Sequence, residues 1–185
     1  MAHVTITTKH LLLRPWKRTD IAPFARVSAS PAVMRYFPSC LNAAQSAALI
    51  DQLQHEIDHQ GWGVWAIEEH TTGTFVGFTG LRNCNADIPG SPFMEIAWRL
   101  DAPFWGKGLA YEAAQAALSY AFDQLGVPRV LAYTARLNGP SIALMKRLGM
   151  HDTAQDFLHP ALPLSHPLAP HVLYAIAHSD PREAP

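Results

Sequence analysis

The 185-residue chain is poor in charge and in cysteine. Asp, Glu, Lys and Arg make up 16% of it, against 49% apolar residues, and the formal net charge is −1 with histidine neutral. No Lys/Arg run stands out, so the basic face of a phosphate-tracking protein is missing and no nucleic-acid partner is expected. Cys40 and Cys84 are the only cysteines. Two distant thiols make neither a disulfide framework nor a four-ligand zinc site. No stretch approaches the roughly 20 apolar residues of a membrane span. Met1 to Asp20 mixes charged and apolar residues without a secretory hydrophobic segment, so the chain reads as cytoplasmic, with no membrane partner. Repeats and low-complexity segments are absent too. The apolar content is ample for one core and excludes a largely disordered chain, while 20.4 kDa is short for two. One domain over 1–178 is expected, with a frayed tail over 179–185.

The pattern along the chain alternates strands and helices. Leu11 to Arg14 reads as a strand, and Thr19-Asp20 then offer helix N-caps. Ser30-Pro31 repeats a helix-start signal. Asn42-Ala43-Ala44-Gln45 has capping-box spacing, Leu49, Leu53 and Ile57 continue at helical period, and Gly61 and Gly63 stop the run. Val64–Glu68 and Thr74–Leu81 read as paired strands around Thr72-Gly73, followed by a polar loop over Arg82–Pro92 and a strand over Phe93–Leu100. The strongest helix runs from about Lys107 to Leu125, with Ala110, Ala114, Ala117, Leu118, Ala121 and Leu125 on one face and Gly126 and Pro128 as the stop. Arg129–Thr134 follows as a strand, Pro140–Leu148 as a helix, and Thr153–Phe157 with Val172–Ala177 as a closing hairpin. Its connection is stiffened by Pro160, Pro163, Pro167 and Pro170. Consecutive antiparallel strands with interspersed helices indicate α+β.

Chemistry concentrates where the 93–100 strand gives way to glycines and then at once to an alanine-rich helix. Trp105-Gly106-Lys107-Gly108-Leu109-Ala110 stands at that junction. Glycines let the backbone come close to a ligand, the first-turn N–H groups have no helical acceptor, and the dipole favours an anion there. A Rossmann fingerprint needs Gly or Ala where Tyr111 sits, and a Walker A loop needs Gly where Asp101 sits, so both familiar nucleotide loops fit poorly. A plain glycine turn opening a core helix is the other reading.

On these residues the sequence resembles the GNAT acetyltransferase superfamily, and in particular its RimJ/RimL-like branch. Gly108 and Ala110 match the end of the family's Gln/Arg-x-x-Gly-x-Gly/Ala loop, with Trp105 in place of Gln/Arg. The opening Thr8–Pro15, the strand Glu95–Leu100, Asn138-Gly139-Pro140-Ser141, Arg147–Met150, and the closing His159-Pro160 and His171–Tyr174 match in the same order. The resemblance implies a mostly antiparallel mixed sheet, splayed in the middle, with helices on both faces. It implies acetyl-CoA as acetyl donor, its diphosphate on Trp105, Gly106, Lys107, Gly108, Leu109 and Ala110. The pantetheine arm would run along Trp98 and Leu100 and past Asn138, in the manner of an added strand. Asn138 also reads as an N-cap ahead of Pro140.

Transfer to an amine needs a base for the ammonium proton and a donor for the departing thiolate. Glu95 is the expected base, on the strand that receives the donor; the alternatives are that it pairs with Arg99 or another cation, or binds the substrate amine without proton transfer. Many members of the family carry a tyrosine seven residues after the asparagine, where this chain has Met145. Ser141 is the expected thiolate donor and donor-site contact, with an ordinary first-turn serine as the alternative; Tyr111 and Tyr174 are less favoured. The acceptor is expected near Phe37, Trp65, His159 and His166, with Pro38 and Trp62 close by, although aromatics at such positions also serve as core. Five histidines fall in the last 35 residues, but no successive pair is spaced four apart, so no metal is expected. The reading is an acetyl-CoA-dependent N-acetyltransferase, monomer or homodimer, acting on a protein N-terminal α-amine or a small-molecule amine by direct transfer in a ternary complex. The alternative is a non-catalytic acyl-CoA-binding sensor or interaction module.

Overall fold

A computed structural model describes residues 3–178; the expected frayed tail lies outside the described residues. Nine strands form one sheet there: β1 (Ile6–Thr7), β2 (Leu11–Arg14), β3 (Val64–Glu69), β4 (Phe75–Cys84), β5 (Phe93–Leu100), β6 (Arg129–Ala135), β7 (His151–Asp152), β8 (Phe157–Leu158) and β9 (Pro170–Ala177). The spatial order is β1-β2-β3-β4-β5-β6-β9-β7, with β8 also on β9. Neighbours are antiparallel except β5 and β6, which run parallel, so the class is α+β with a mixed sheet. The described residues also form α-helices α1 (Ile21–Ser28), α2 (Ala43–Gln60), α3 (Leu109–Asp123) and α4 (Gly139–Arg147).

Strand alternation assigns the faces. Phe78 of β4 packs on Phe24 of α1, and its register partner on β5 is Arg99. The next residue, Thr79, pairs with Trp65 on one side and Trp98 on the other; Trp65 packs edge-on against Tyr120 of α3, and Trp98 reaches Ser141 of α4. Helices therefore cover both faces, with α1 on one and α3 with α4 on the other. α2 keeps its reciprocal cap: Asn42 Oδ1 accepts from Gln45 N–H, Gln45 Oε1 accepts from Asn42 N–H, and Gly61 closes the helix at φ 82°.

Three local expectations are corrected. Asp20 precedes α1 without capping it; its carboxylate accepts the Lys17 N–H at 2.8 Å and takes both terminal nitrogens of buried Arg14, at 2.8 and 2.9 Å. Residues 31–36 form turns rather than a helix, because Pro38 biases Phe37 away from helical backbone and leaves too few residues to propagate one. Thr153–Phe157 is not one strand. β7 and β8 pair with opposite ends of β9, and between them Ala154 takes φ 55° while the Thr153 hydroxyl donates to Leu173 O.

Candidate active site

The parallel ladder between β5 and β6 holds only Met94↔Val130 and Glu95↔Leu131. Both strands continue, to Leu100 and to Ala135, without pairing again. The backbone groups of β5 that face this gap have no strand partner, and the gap opens into a cleft of about 960 Å³. At its β5 end lies the glycine loop. Gly106 and Gly108 adopt φ 72° and 79°, a region that suits glycine, and open space surrounds both. The first bond of α3 runs from Glu112 N–H to Gly108 O, so the amides of the first turn are free for a ligand. Trp105 folds back so that its indole N–H donates to Leu100 O at 2.9 Å.

On the α4 side, Asn138 Oδ1 caps the helix through Ser141 N–H at 3.3 Å, and its Nδ2 donates to Thr134 Oγ1 at 2.9 Å. Ser141 Oγ accepts the Trp98 indole N–H at 3.2 Å. With that lone pair taken, the serine hydroxyl keeps its own proton to donate into the cleft.

Glu95 lies where the paired ladder ends, 9% exposed and lining the cleft. Burial pushes its carboxyl up to about 7; opposing this, nearby Arg82 favours the ionised form. Arg82, its register partner on β4, directs its guanidinium to Glu56 of α2 at 3.7 Å instead. Among the described residues Glu95 has no ion pair. Arg99 also goes elsewhere: it donates to Ser28 Oγ at 3.2 Å and stacks over Phe37 at 4.4 Å. A buried, unpaired carboxyl with a pKa near neutrality is suited to take a proton from an amine. Across the gap, Tyr133, Phe157, His159 and His171 pack together, the two imidazoles 4.8 Å apart. Burial lowers the pKa of both histidines and raises that of Tyr133.

The acetyltransferase (GNAT) domain model matches residues 10–151 of this sequence, well over half of it. The chain belongs to the GNAT acetyltransferase family. Among its relatives is the uncharacterized Bacillus subtilis protein YkkB, 28% identical over 151 residues that span 81% of this chain and 87% of that protein. The N-acetyltransferase YnaD of the same organism, itself uncharacterized, is 28% identical over 146 residues, 78% of this chain and 81% of its own. A GNAT acetyltransferase from Bacillus anthracis superposes with a TM-score of 0.79 at 22% identity, covering 94% of this chain and 98% of its own. Members of this family take the acetyl group from acetyl-CoA.

The cleft of this GNAT acetyltransferase brings together most of the residues singled out from the sequence. Glu95, Trp98, Leu100, Trp105, Gly106, Gly108, Leu109, Ala110, Asn138, Ser141, Phe37 and His159 line it, while Lys107 lies at the rim with its ammonium 5.6 Å over Phe104. Trp65 does not line it. The second position of a central strand leaves that ring 0% exposed beneath α3, which makes it core. His166 is likewise outside the cleft wall; its Nδ1 accepts from Leu168 N–H and fixes a turn of the 158–170 loop. Trp62 packs against the core rather than the cleft. Met145 is fully buried and offers no proton. Tyr174 is core, and Tyr111 sits on the wall under the Arg147 guanidinium at 4.3 Å. Tyr133, His171 and Arg99 were not among the expected site residues. Tyr133 and His171 sit on separate strands, which only the β6–β9 register brings together. Among the described residues no cluster of three His, Cys, Asp or Glu side chains is arranged to hold a metal ion, and no helix is long and apolar enough to cross a membrane.

Proposed function

We propose that residues 1–178 form a single-domain N-acetyltransferase of the RimJ/RimL-like branch, cytoplasmic, with a primary amine as acceptor: a protein N-terminal α-amine or the amine of a small molecule. Transfer is direct, within a ternary complex. The observation that carries this reading is Glu95, a buried carboxyl without an ion pair at the mouth of the interrupted ladder, with a pKa of about 7.

The residues fit the donor. The open amides from Gly106 to Ala110 suit a diphosphate, and the edge of β5 around Trp98 and Leu100, which has no strand partner, suits the amides of a pantetheine arm, with Asn138 alongside. Acetyl-CoA bound there supplies the acyl group as an activated thioester. Glu95 accepts the proton of the ammonium and so keeps the amine neutral for attack. A main-chain N–H of the β5 edge polarises the carbonyl. Ser141 directs its hydroxyl proton to the leaving sulfur. Glu95 holds its proton by burial, and a binding-only module has no use for such a group; this favours turnover over the sensor reading.

The test is thermal unfolding with millimolar acetyl-CoA, CoA, ATP or NAD, followed by thiol release over a panel of amines. The two CoA species alone should raise the midpoint by linkage. Ser141→Ala should slow thiol release several-fold and leave the acetyl-CoA midpoint shift in place. Absence of any shift with CoA overturns the reading.

A further inference from the structure

Arg35 and Arg147 of the cleft are exposed and Arg82 reaches Glu56, so among the described residues Arg99 is the half-buried arginine of the cleft that lacks an anion. Its guanidinium lies over Phe37 at 4.4 Å, Phe78 at 5.2 Å and Phe24 at 5.9 Å. Its hydrogen bond goes to a neutral hydroxyl, Ser28 Oγ, and its Nε is buried with no partner at all. Burial alone brings its pKa down to about 10, and no carboxylate among the described residues offsets that. Burying a charge without a counter-charge is costly, and aromatic faces compensate only part of it. Such an arrangement is complete only when an anion enters.

We infer that the acceptor amine carries a carboxylate and that Arg99 binds it. The placement of the amine rests on the transferase reading, which puts it at Glu95. Glu95 and Arg99 alternate onto one face of β5. Four residues of extended strand separate their Cα atoms by about 13 Å. With the Arg99 guanidinium directed to Ser28 and Phe37 and not toward Glu95, the amine and the carboxylate sit several bonds apart. A free α-amino acid, with both groups on one carbon, is too short to meet both residues. The matching chemistry is an ω-amino acid, or a peptide N-terminus followed by an acidic side chain. Phe37 and Phe78, which face the Arg99 guanidinium and line the cleft, suit an apolar spacer.

Calorimetric titration in the presence of CoA tests this with matched pairs. One arm compares 6-aminohexanoate with hexylamine, the other Ala-Glu amide with Ala-Gln amide; the arm that shows the preference identifies the source of the carboxylate. The wild type should bind the carboxylate member about tenfold more tightly or better, as a charge-assisted fork predicts. Arg99→Met should bring the ratio close to one, and Arg99→Lys, which keeps the charge without the fork, should leave an intermediate preference. Equal binding of both members, binding of neither, or a preference that survives in Arg99→Met overturns the inference. Should Arg99→Met not fold, the wild type and Arg99→Lys still decide it. Thiol release from the same samples separates the two readings. Turnover without a carboxylate preference removes this inference and leaves the transferase; a carboxylate preference without thiol release does the reverse.

Discussion

Glu95 holds its proton to about pH 7 because burial penalises its charge, and that has two measurable consequences of opposite value to the protein. As a base it must be ionised, so transfer to one saturating amine should rise with pH and level off above about 7. Glu95→Gln should lose that limb and about 10²-fold of kcat, while the midpoint shift with acetyl-CoA stays. Stability runs the other way. The folded pKa lies above the unfolded value of 4.5, so between about 4.5 and 7 the native state holds a proton that the unfolded chain releases, and stability falls as pH rises through that window. At pH 8 the cost is on the order of 3 kcal/mol. Urea melts at pH 5 and pH 8 should show the wild type losing stability relative to Glu95→Gln. Parallel pH profiles for the two proteins would remove the assignment. The position of this carboxylate on the strand was readable from the sequence; its freedom from Arg99 was not. Alternation places both on one face, and only the packed Phe24, Phe37 and Phe78 show why the guanidinium turns to Ser28.

Elements were legible where local chemistry is self-contained. The Asn42/Gln45 box, the Gly61 stop, the glycine entry into α3 and the full span of β5 depend on near neighbours and come out as read. Elements failed where another partner competes: the Asp20 carboxylate turns to Lys17 N–H and Arg14 rather than to α1, and the last hairpin split because β9 accepts two short strands at different ends. β4 gives a case in which the sequence shows a glycine but not its purpose. A Cβ on Gly77 would stand 2.2 Å from Arg99 O and 2.7 Å from Leu100 Cα, both backbone atoms of β5. Neither strand can yield without moving the cleft wall. Gly77→Ala should cost on the order of 2–3 kcal/mol in urea unfolding, with the m-value unchanged. A loss within about 0.5 kcal/mol, the range of an ordinary surface substitution, would mean the two strands are not held this closely.

At the scale of the whole molecule the sheet is two halves, β1 to β5 and β6 to β9 with its short partners, joined by a brief parallel ladder and by α3, which packs against β2, β4, β5 and β6. No local pattern in the sequence announces this join. β5 and β6 both read as ordinary strands, and their divergence after Glu95 and Leu131 is a property of register alone. The family resemblance implied the splay; the residues by themselves did not. A join of this kind leaves cleft-facing amides of β5 exposed to solvent, while those of β3, bonded to β2 and β4 on its two edges, are not. Local opening should therefore differ sharply between neighbouring strands of one sheet. Amide hydrogen exchange should find the cleft-facing amides of Trp98 and Leu100, which alternate with those bonded to β4, and 106–111 exchanging quickly in the free protein and slowing several-fold with saturating CoA, while 66–69 stays protected throughout. Protection appearing only in the 158–170 loop would move the donor to the histidine side of the cleft. It would also take the β5 edge and the glycine loop out of the binding site together, because the same ligand must span both.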